Sequence, residues 1–526
     1  MSYAAGLTEA LASLRHRSFS WLWLALVCGN TAAFMRDLAN AWIATGLISS
    51  PWVAALMQSA TTLPVFLLAI PAGILSDVCD CRRLLIGAQV LLATVSATLL
   101  LLSEFSDLSV PWLLAMALLG GVGTALTVHT WLAVMPSLVP FNQVRPALTM
   151  NSLGINSARG LGSVVAGVLL AQAGMPMTYA ATLFVSVLAV LLLLPLQHSR
   201  TELDPLKQQP FGALRAGIRY TRASHELHRV LWRSGLFFLS ASAAWALLPL
   251  AARQISPDST LYGLLQFSIG IGAVGGTLIL APSRSKLGAD SLLLAMALLF
   301  ASALVMLTWT SSMAVMLTSM FLLGASWIGA LTTFGSTAHS LFPAWVRGRG
   351  LAVYLTALNG ALTVGSVIWG GLADLFGVQE ALRTAAVMLA ITALLSSRRR
   401  LPATENEHRP GFVWPLPQSE TTRDEKHGPV IVQVEYRVQE ENRTEFLNKL
   451  RELGLVRRRD GAQAWCLAED ADDPERLVEW FFVDSWAEHL RQSRFGTEAA
   501  KLREQLLRMH AHQSPPTVKC LMTILD

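Results

Sequence analysis

The sequence predicts an all-α membrane protein of twelve transmembrane helices in two six-helix, parallel-repeat halves, followed by a small α+β domain. Three observations predict it. Charge is segregated: residues 1–400 hold 23 Lys+Arg and 13 Asp+Glu, whereas residues 429–526 hold 14 and 17. A water-soluble chain carries about 25% charged residues, so the first stretch belongs in lipid and the last in water. Long runs also lack Asp, Glu, Lys and Arg entirely: Leu38–Ser76, Leu84–Ser103, Leu108–Val144, Gly160–Ser199 and Ser291–Val346. Finally, the hydrophobic region repeats itself at an offset of 203 residues.

A span needs about 20 apolar residues, so the longer runs must fold as more than one helix. The spans begin near Trp21, Trp52, Leu84, Trp112, Leu148 and Thr178, then near Val230, Leu261, Ser291, Met313, Gly350 and Ala381. The first run is too long for a cleaved signal peptide and lacks a clear cleavage site. Tryptophans at span edges, such as Trp21, Trp52 and Trp112, read as interface anchors. Assigning alternate loops to opposite faces puts 19 Lys+Arg on one side and only Arg253 and Arg383 on the other. By the positive-inside rule both termini are cytoplasmic. The basic excess is therefore topological, and no nucleic-acid partner is expected. The expected divisions are a first half over 1–198, a connector over 199–229, a second half over 230–400, a linker over 401–428 and a domain over 429–526. The connector's Phe211–Tyr220 stretch has helical spacing and is expected to lie along the membrane face.

The repeat is read residue by residue. Leu138-Val139-Pro140 recurs as Leu341-Phe342-Pro343, and Gly162, Gly167 and Gly174 recur as Gly365, Gly370 and Gly377. Asn156 recurs as Asn359. Gly73 and Arg83 recur as Gly276 and Lys286. Same-orientation copies after six spans are a known plan for alternating-access carriers.

Between the second and third spans lies Gly73-Ile74-Leu75-Ser76-Asp77-Val78-Cys79-Asp80-Cys81-Arg82-Arg83. Gly73 would let two helices approach closely, Asp77 would make a breakable contact at a helix end, and Arg82 and Arg83 would stay on the cytoplasmic side. This G-x-x-x-D-x-x-x-x-R-R turn resembles the loop signature of the major facilitator superfamily. Cys81 departs from it, in a slot that is commonly basic. Further stretches resemble the superfamily's transmembrane secretion effector branch, the branch of the enterobactin exporter. They are Phe34-Met35-Arg36-Asp37, Asn151 to Arg159, Trp345-Val346-Arg347-Gly348-Arg349, Val434-Glu435-Tyr436 and Ser485 to Leu490. The resemblance covers nearly the whole chain. It implies an exporter of a small organic molecule, such as a siderophore, drug or secondary metabolite, in the bacterial cytoplasmic membrane. It does not name the cargo.

Three ionisable residues fall inside spans: Arg36 and Asp37 in the first, past the midplane, and Arg159 near the middle of the fifth. Charges there are costly and should face the bundle interior. Arg36 and Asp37 are adjacent and point in different directions, so they are not expected to pair face to face. Asp37 is expected to be reached by Arg159, by a cation or by a proton, which would couple export to proton entry. Arg159 has Leu362 at its repeat position. Asn156, Asn359 and Asn30 are candidates for a substrate cavity or for interhelical hydrogen bonds. His129 and His339 read as satisfied histidines near span ends.

From 429 onward the period changes. Val430–Val438 alternates like a strand, Glu440–Leu453 is helical, Ala462–Ala468 and Leu477–Asp484 are strands, Trp486–His510 is a helix and Thr517–Leu525 a last strand. The order β-α-β-β-α-β is ferredoxin-like. It resembles the dimeric α+β barrels related to antibiotic-biosynthesis monooxygenases, which implies that the tail forms a homodimer. Arg457, with Arg458 and Arg459, and Trp465 and His489 are candidates for a small-molecule pocket. Nothing forms a nucleophile–base pair, so no enzyme activity is expected. Cys28, Cys79, Cys81, Cys466 and Cys520 have no paired zinc spacing, and no metal or cofactor is expected. The G-x-x-x-x-G-K-[ST] phosphate loop is missing from the sequence, which leaves the proton gradient as the energy source. The competing reading is a membrane-anchored sensor or enzyme whose tail is the active part.

Overall fold

The computed structural model describes residues 13–105, 108–140, 143–196, 217–222, 224–283, 288–309, 312–342, 347–398, 401, 429–460, 462–483, 485–486, 497–510 and 516–522. Two compact units form. One comprises the described parts of 1–201, 229–336 and 354–401, the other those of 202–228, 337–353 and 402–526.

Among the described residues, twelve helices are long and apolar enough to cross a membrane. They are α1 (Arg17–Leu47), α2 (Pro51–Val78), α3 (Cys81–Phe105), α4 (Val110–Leu138), α5 (Val144–Gln172) and α6 (Gly174–Leu193) in the first half. The second half has α7 (His225–Arg253), α8 (Ser259–Ser283), α9 (Ala289–Trp309), α10 (Met313–Leu341), α11 (Arg347–Phe376) and α12 (Val378–Ser397). Each starts within about four residues of the reading from charge-free runs, except α7, whose polar first turn precedes the apolar run. Of the connector, 217–222 and 224–229 are described: 217–222 is helical and 225–229 open α7, while 211–216 lie outside the described residues. Tyr220 donates to the Leu341 carbonyl at 2.9 Å and packs against Phe342.

The repeat is visible in the backbone. Among the described residues the two glycines with left-handed φ are Gly174 (φ 78°) and Gly377 (φ 92°), each at the turn between the fifth and sixth helices of its half. Only glycine takes these values cheaply. Gly377→Ala should cost about 1–2 kcal/mol. It should lower the unfolding temperature of the solubilised chain, while Gly235→Ala, where an added Cβ meets no atom, leaves it nearly unchanged. Equal melting of the two would contradict the assignment.

The seams between the halves repeat as well. Gly167 of α5 lies on the α8 backbone, where an added Cβ would come within 2.9 Å of Ser259 O and 3.1 Å of Gly263 Cα. Its copy Gly370 on α11 lies against Pro51 and Ala55 of α2. Gly160 also meets Phe267 on α8, and Gly360, which is not its repeat copy, meets Phe66 on α2. Small residues here let backbones touch, which is how helices pack where lipid gives no hydrophobic drive. Ser259 Oγ donates to Gly167 O at 2.8 Å, and the Thr62 and Thr363 hydroxyls share a 2.8 Å bond across α2 and α11.

The second unit carries the tail domain. Strands β1 (Val430–Arg437), β2 (Trp465–Glu469), β3 (Arg476–Val483) and β4 (Thr517–Met522) form one antiparallel sheet in the order β2-β3-β1-β4. Helix α13 (Arg443–Asp460) connects β1 to β2, and α14 (Thr497–Arg508) lies between β3 and β4. This is the ferredoxin-like order read from the periodicity. Residues 487–496 of the expected second helix lie outside the described residues. Alternation sends Val430, Val432, Val434 and Tyr436 to a core with Phe446, Leu450, Leu453, Phe481 and Leu506.

Candidate functional site

A cavity of about 220 Å³ lies between the two halves of the bundle. Helix periodicity fills its wall. Phe34, Asp37, Leu38 and Ala41 share one face of α1, and Ala54, Met57, Gln58, Thr61 and Thr62 share one face of α2. Arg159 and Ser163 come from α5. Across the cavity stand Trp245 and Pro249 of α7, Tyr262 and Gln266 of α8, Trp327 of α10 and Leu362 of α11. Trp245 and Trp327 pack at 4.2 Å between ring centroids. Trp245, Trp327, Tyr262 and Gln266 carry no mark in the sequence, because apolar spans admit aromatic and amide residues on any face.

Two opposite charges face this space. Asp37 Oδ1 accepts from Arg36 Nη2 at 3.3 Å, yet the Asp37 side chain keeps 38% of its surface exposed while Arg36 keeps 1%. The expectation that these neighbours do not pair is therefore corrected. Arginine's long side chain curls back over the roughly 100° between adjacent helical positions. Its guanidinium lies on α4 at Gly120, where an added Cβ would sit 3.0 Å from Nη2. Arg36 Nε and Nη1 have no hydrogen-bond partner among the described residues. Nearby, Tyr179 donates to Asn40 Oδ1 at 2.8 Å.

Arg159 does not reach Asp37: the ion pairs among the described residues include none for Arg159 within 4.0 Å. Its guanidinium carbon instead lies 4.9 Å from the Phe34 ring centre, and its Nε has no partner among the described residues. A lone arginine at the bilayer centre costs about 2.5–3.5 kcal/mol on insertion scales. Gln266 donates to the Tyr262 hydroxyl at 3.4 Å, leaving its own Oε1 unpartnered among the described residues.

The other sequence candidates go elsewhere. Asn30, Asn156 and Asn359 each donate to the carbonyl four residues back on their own helix, at 2.8–2.9 Å, and none lines the cavity. Gly73 does not mediate a close helix approach, since a Cβ added there would meet no atom within 4 Å. The Asp77 side chain lies outside the described residues. Its neighbour Asp80 orders the turn instead, accepting from the Arg82 N–H at 2.9 Å and lying 3.8 Å from the Arg83 guanidinium. Arg82 also donates to the Leu194 carbonyl at the end of α6. His129 Nδ1 is 2.8 Å from the Ala125 carbonyl.

In the tail, Arg457 and Trp465 do come together, on a residue the sequence reading missed. Glu479 is fully buried. It accepts from Arg457 Nε and Nη2, from Trp465 Nε1 at 2.8 Å and from the Tyr436 hydroxyl at 3.1 Å. Arg457 also lies over Phe481 at 4.2 Å. Burial, then the Glu479 carboxylate, push the Tyr436 phenol well above its ordinary range. These side chains are spent on one another as a closed polar core, so the expected Arg457–Trp465 ligand pocket is replaced by a structural network. His489 lies outside the described residues.

Comparison with known proteins matches residues 8–525 to the family model described as "transmembrane secretion effector". The staphyloferrin A transporter of Staphylococcus aureus is 26% identical over 357 residues, covering 66% of this chain and 88% of that protein. Solved structures with the same fold include a D-xylose–proton symporter (TM-score 0.58, 17% identity, 77% of this chain and 99% of that one). A human organic anion transporter is similar too (TM-score 0.55, 17% identity, 72% and 99%).

Proposed function

The chain belongs to the transmembrane secretion effector family of the major facilitator superfamily, and on that premise we propose that it is a proton-coupled exporter of a siderophore-like small molecule. It is a multi-pass transporter; export, proton coupling and cargo are our reading. One observation carries it: a cavity between repeat-related halves holds an exposed acid, Asp37, and an arginine, Arg159, that has no acid partner among the described residues. Charges kept inside a membrane bundle mark a translocation path. We place the protein in the bacterial cytoplasmic membrane with both termini cytoplasmic, on the 19-to-2 loop bias. Asp37 exchanges a proton as the halves rock about their glycine seams. The Asp77–Arg83 turn serves as the conformational gate.

The tail is read as a non-catalytic dimerisation domain. Support comes from its second sheet face, which carries Ile431, Val478, Trp480, Phe482 and Leu521 outside the buried core. Leu521 is 50% exposed. A second copy of this sheet is a fitting cover for such a face.

The test removes residues 429–526. Uptake into inverted membrane vesicles, whose cytoplasmic face is outward, should persist under an imposed pH gradient, and the solubilised particle should fall from dimer to monomer. Loss of transport with the bundle still folded would favour the anchored sensor or enzyme. An unchanged particle mass would end the dimer reading.

A further inference from the structure

We propose that the cavity takes an amphiprotic cargo, with an anionic group for Arg159 and a hydrogen-bond-donating group, ammonium or hydroxyl, for Asp37. The proposal rests on reading this cavity as the transport site. The charges decide it. Asp37 already offsets Arg36, which is sealed behind it, so the wall retains the uncompensated positive charge of Arg159. An anion from the cargo removes the cost of that buried cation. Asp37 in turn uses Oδ1 on Arg36, and Oδ2 has no partner among the described residues while the side chain remains exposed. A carboxylate oxygen in that state accepts a donor.

Spacing and shape narrow the class. Arg159 lies over Phe34, and Asp37 follows Phe34 by three residues on the same face of α1. That is about one helical turn, roughly 5 Å along the axis. The cargo's two groups are therefore separated by a short spacer rather than joined on one carbon. Trp245 and Trp327 form the opposite wall and suit a planar or apolar body between the polar ends. Gln266 Oε1 offers a second acceptor on the same side as Tyr262.

This arrangement also gives the sign that exchange requires. A proton on Asp37 removes the acceptor charge that the cargo's donor needs, so proton and cargo compete. The titratable or charged groups near Asp37 are few. They are Arg36 on its own helix, Arg159 from α5, Tyr179 from α6 and Tyr262 from α8. The facing residues of α2, α7, α10 and α11 are uncharged and do not titrate.

The probes are three matched compounds: 4-(aminomethyl)benzoate, 4-methylbenzoate and 4-methylbenzylamine. Binding to the purified full-length chain is read by calorimetry and by the shift in unfolding temperature, at alkaline and at mildly acidic pH. The zwitterion is expected to bind at least about tenfold more tightly than either singly charged compound. Arg159→Gln is expected to remove that advantage, and Arg159→Lys to restore part of it. Asp37→Asn is expected to weaken zwitterion binding and abolish its pH dependence. The unliganded melting curve of each variant reports whether it folds, and the wild-type comparison of the three compounds stands without any variant. A zwitterion no tighter than the amine, or one bound equally by Arg159→Gln, overturns the proposal. Discrimination as expected in a chain that moves nothing in vesicles refutes the transport reading instead and leaves the site. Gradient-driven efflux with no discrimination refutes the cargo class alone.

Discussion

Asp37→Asn abolishes gradient-driven efflux while leaving the twelve-helix bundle folded. Asparagine keeps the side-chain volume and one acceptor for Arg36, but it cannot exchange a proton in this pH range. In the wild type, one unit of pH gradient supports about tenfold accumulation per proton exchanged, since a factor of ten is about 1.4 kcal/mol. In the variant the accumulation ratio falls to unity. Downhill leakage of cargo persists. Inverted vesicles, which take the exported molecule up from the medium, assayed with and without a collapsing protonophore, make the measurement. A variant that still accumulates cargo in a protonophore-sensitive way would remove Asp37 from the coupling step.

Glu479→Ala unfolds the tail or brings it close to unfolding. The fully buried carboxylate holds four donor contacts from Arg457, Trp465 and Tyr436. Removing it strands the Arg457 guanidinium among Phe481 and its neighbours. Breaking one side of a buried pair costs about 3–5 kcal/mol, out of a total domain stability of about 5–15 kcal/mol. Hydrogen exchange of the β1 and β3 amides in the full chain is the readout, because those strands flank the network. Protection in the variant equal to the wild type would show that the network adds nothing to stability. Glu479→Gln keeps one acceptor oxygen, which serves Trp465, while its amide N–H can donate to the Tyr436 hydroxyl oxygen; the charge is lost, so it should fall between the two.

Much of the architecture was legible because two strong physical rules leave marks in composition. Lipid excludes charge, so the spans could be counted from runs without Asp, Glu, Lys or Arg. A repeated fold preserves the glycines its turns require, so Gly174 and Gly377 announced the two halves. The tail followed from alternation. That same alternation held the signal for Glu479. Leu477, Phe481 and Val483 share its parity, so the strand pattern already turned this acid inward. A charged residue among strand hydrophobics is commonly solvated, which masks that signal.

The site was legible only in part. Asp37 and Arg159 stood out as charges in apolar helices, and both do line the cavity. Their partners were not legible. Whether Arg36 curls onto Asp37 depends on a side-chain rotamer and on the space left by Gly120, 84 positions along the chain. The asparagines were misplaced because an amide on a helix has a ready partner four residues back. Gly73 was misread because a small residue allows a close approach without requiring one.

The paired seams carry a consequence for ancestry. Gly167 against α8 and Gly370 against α2 are repeat-related glycines, each set against the second helix of the other half. A six-helix precursor meeting its own duplicate would have formed both seams from a single glycine, as a self-complementary interface must. Joining the copies in one gene freed each to drift. The first half has Arg159, while the second has Leu362 at the matching place. The lopsided polarity of the present cavity is a property that no symmetric forebear could have possessed.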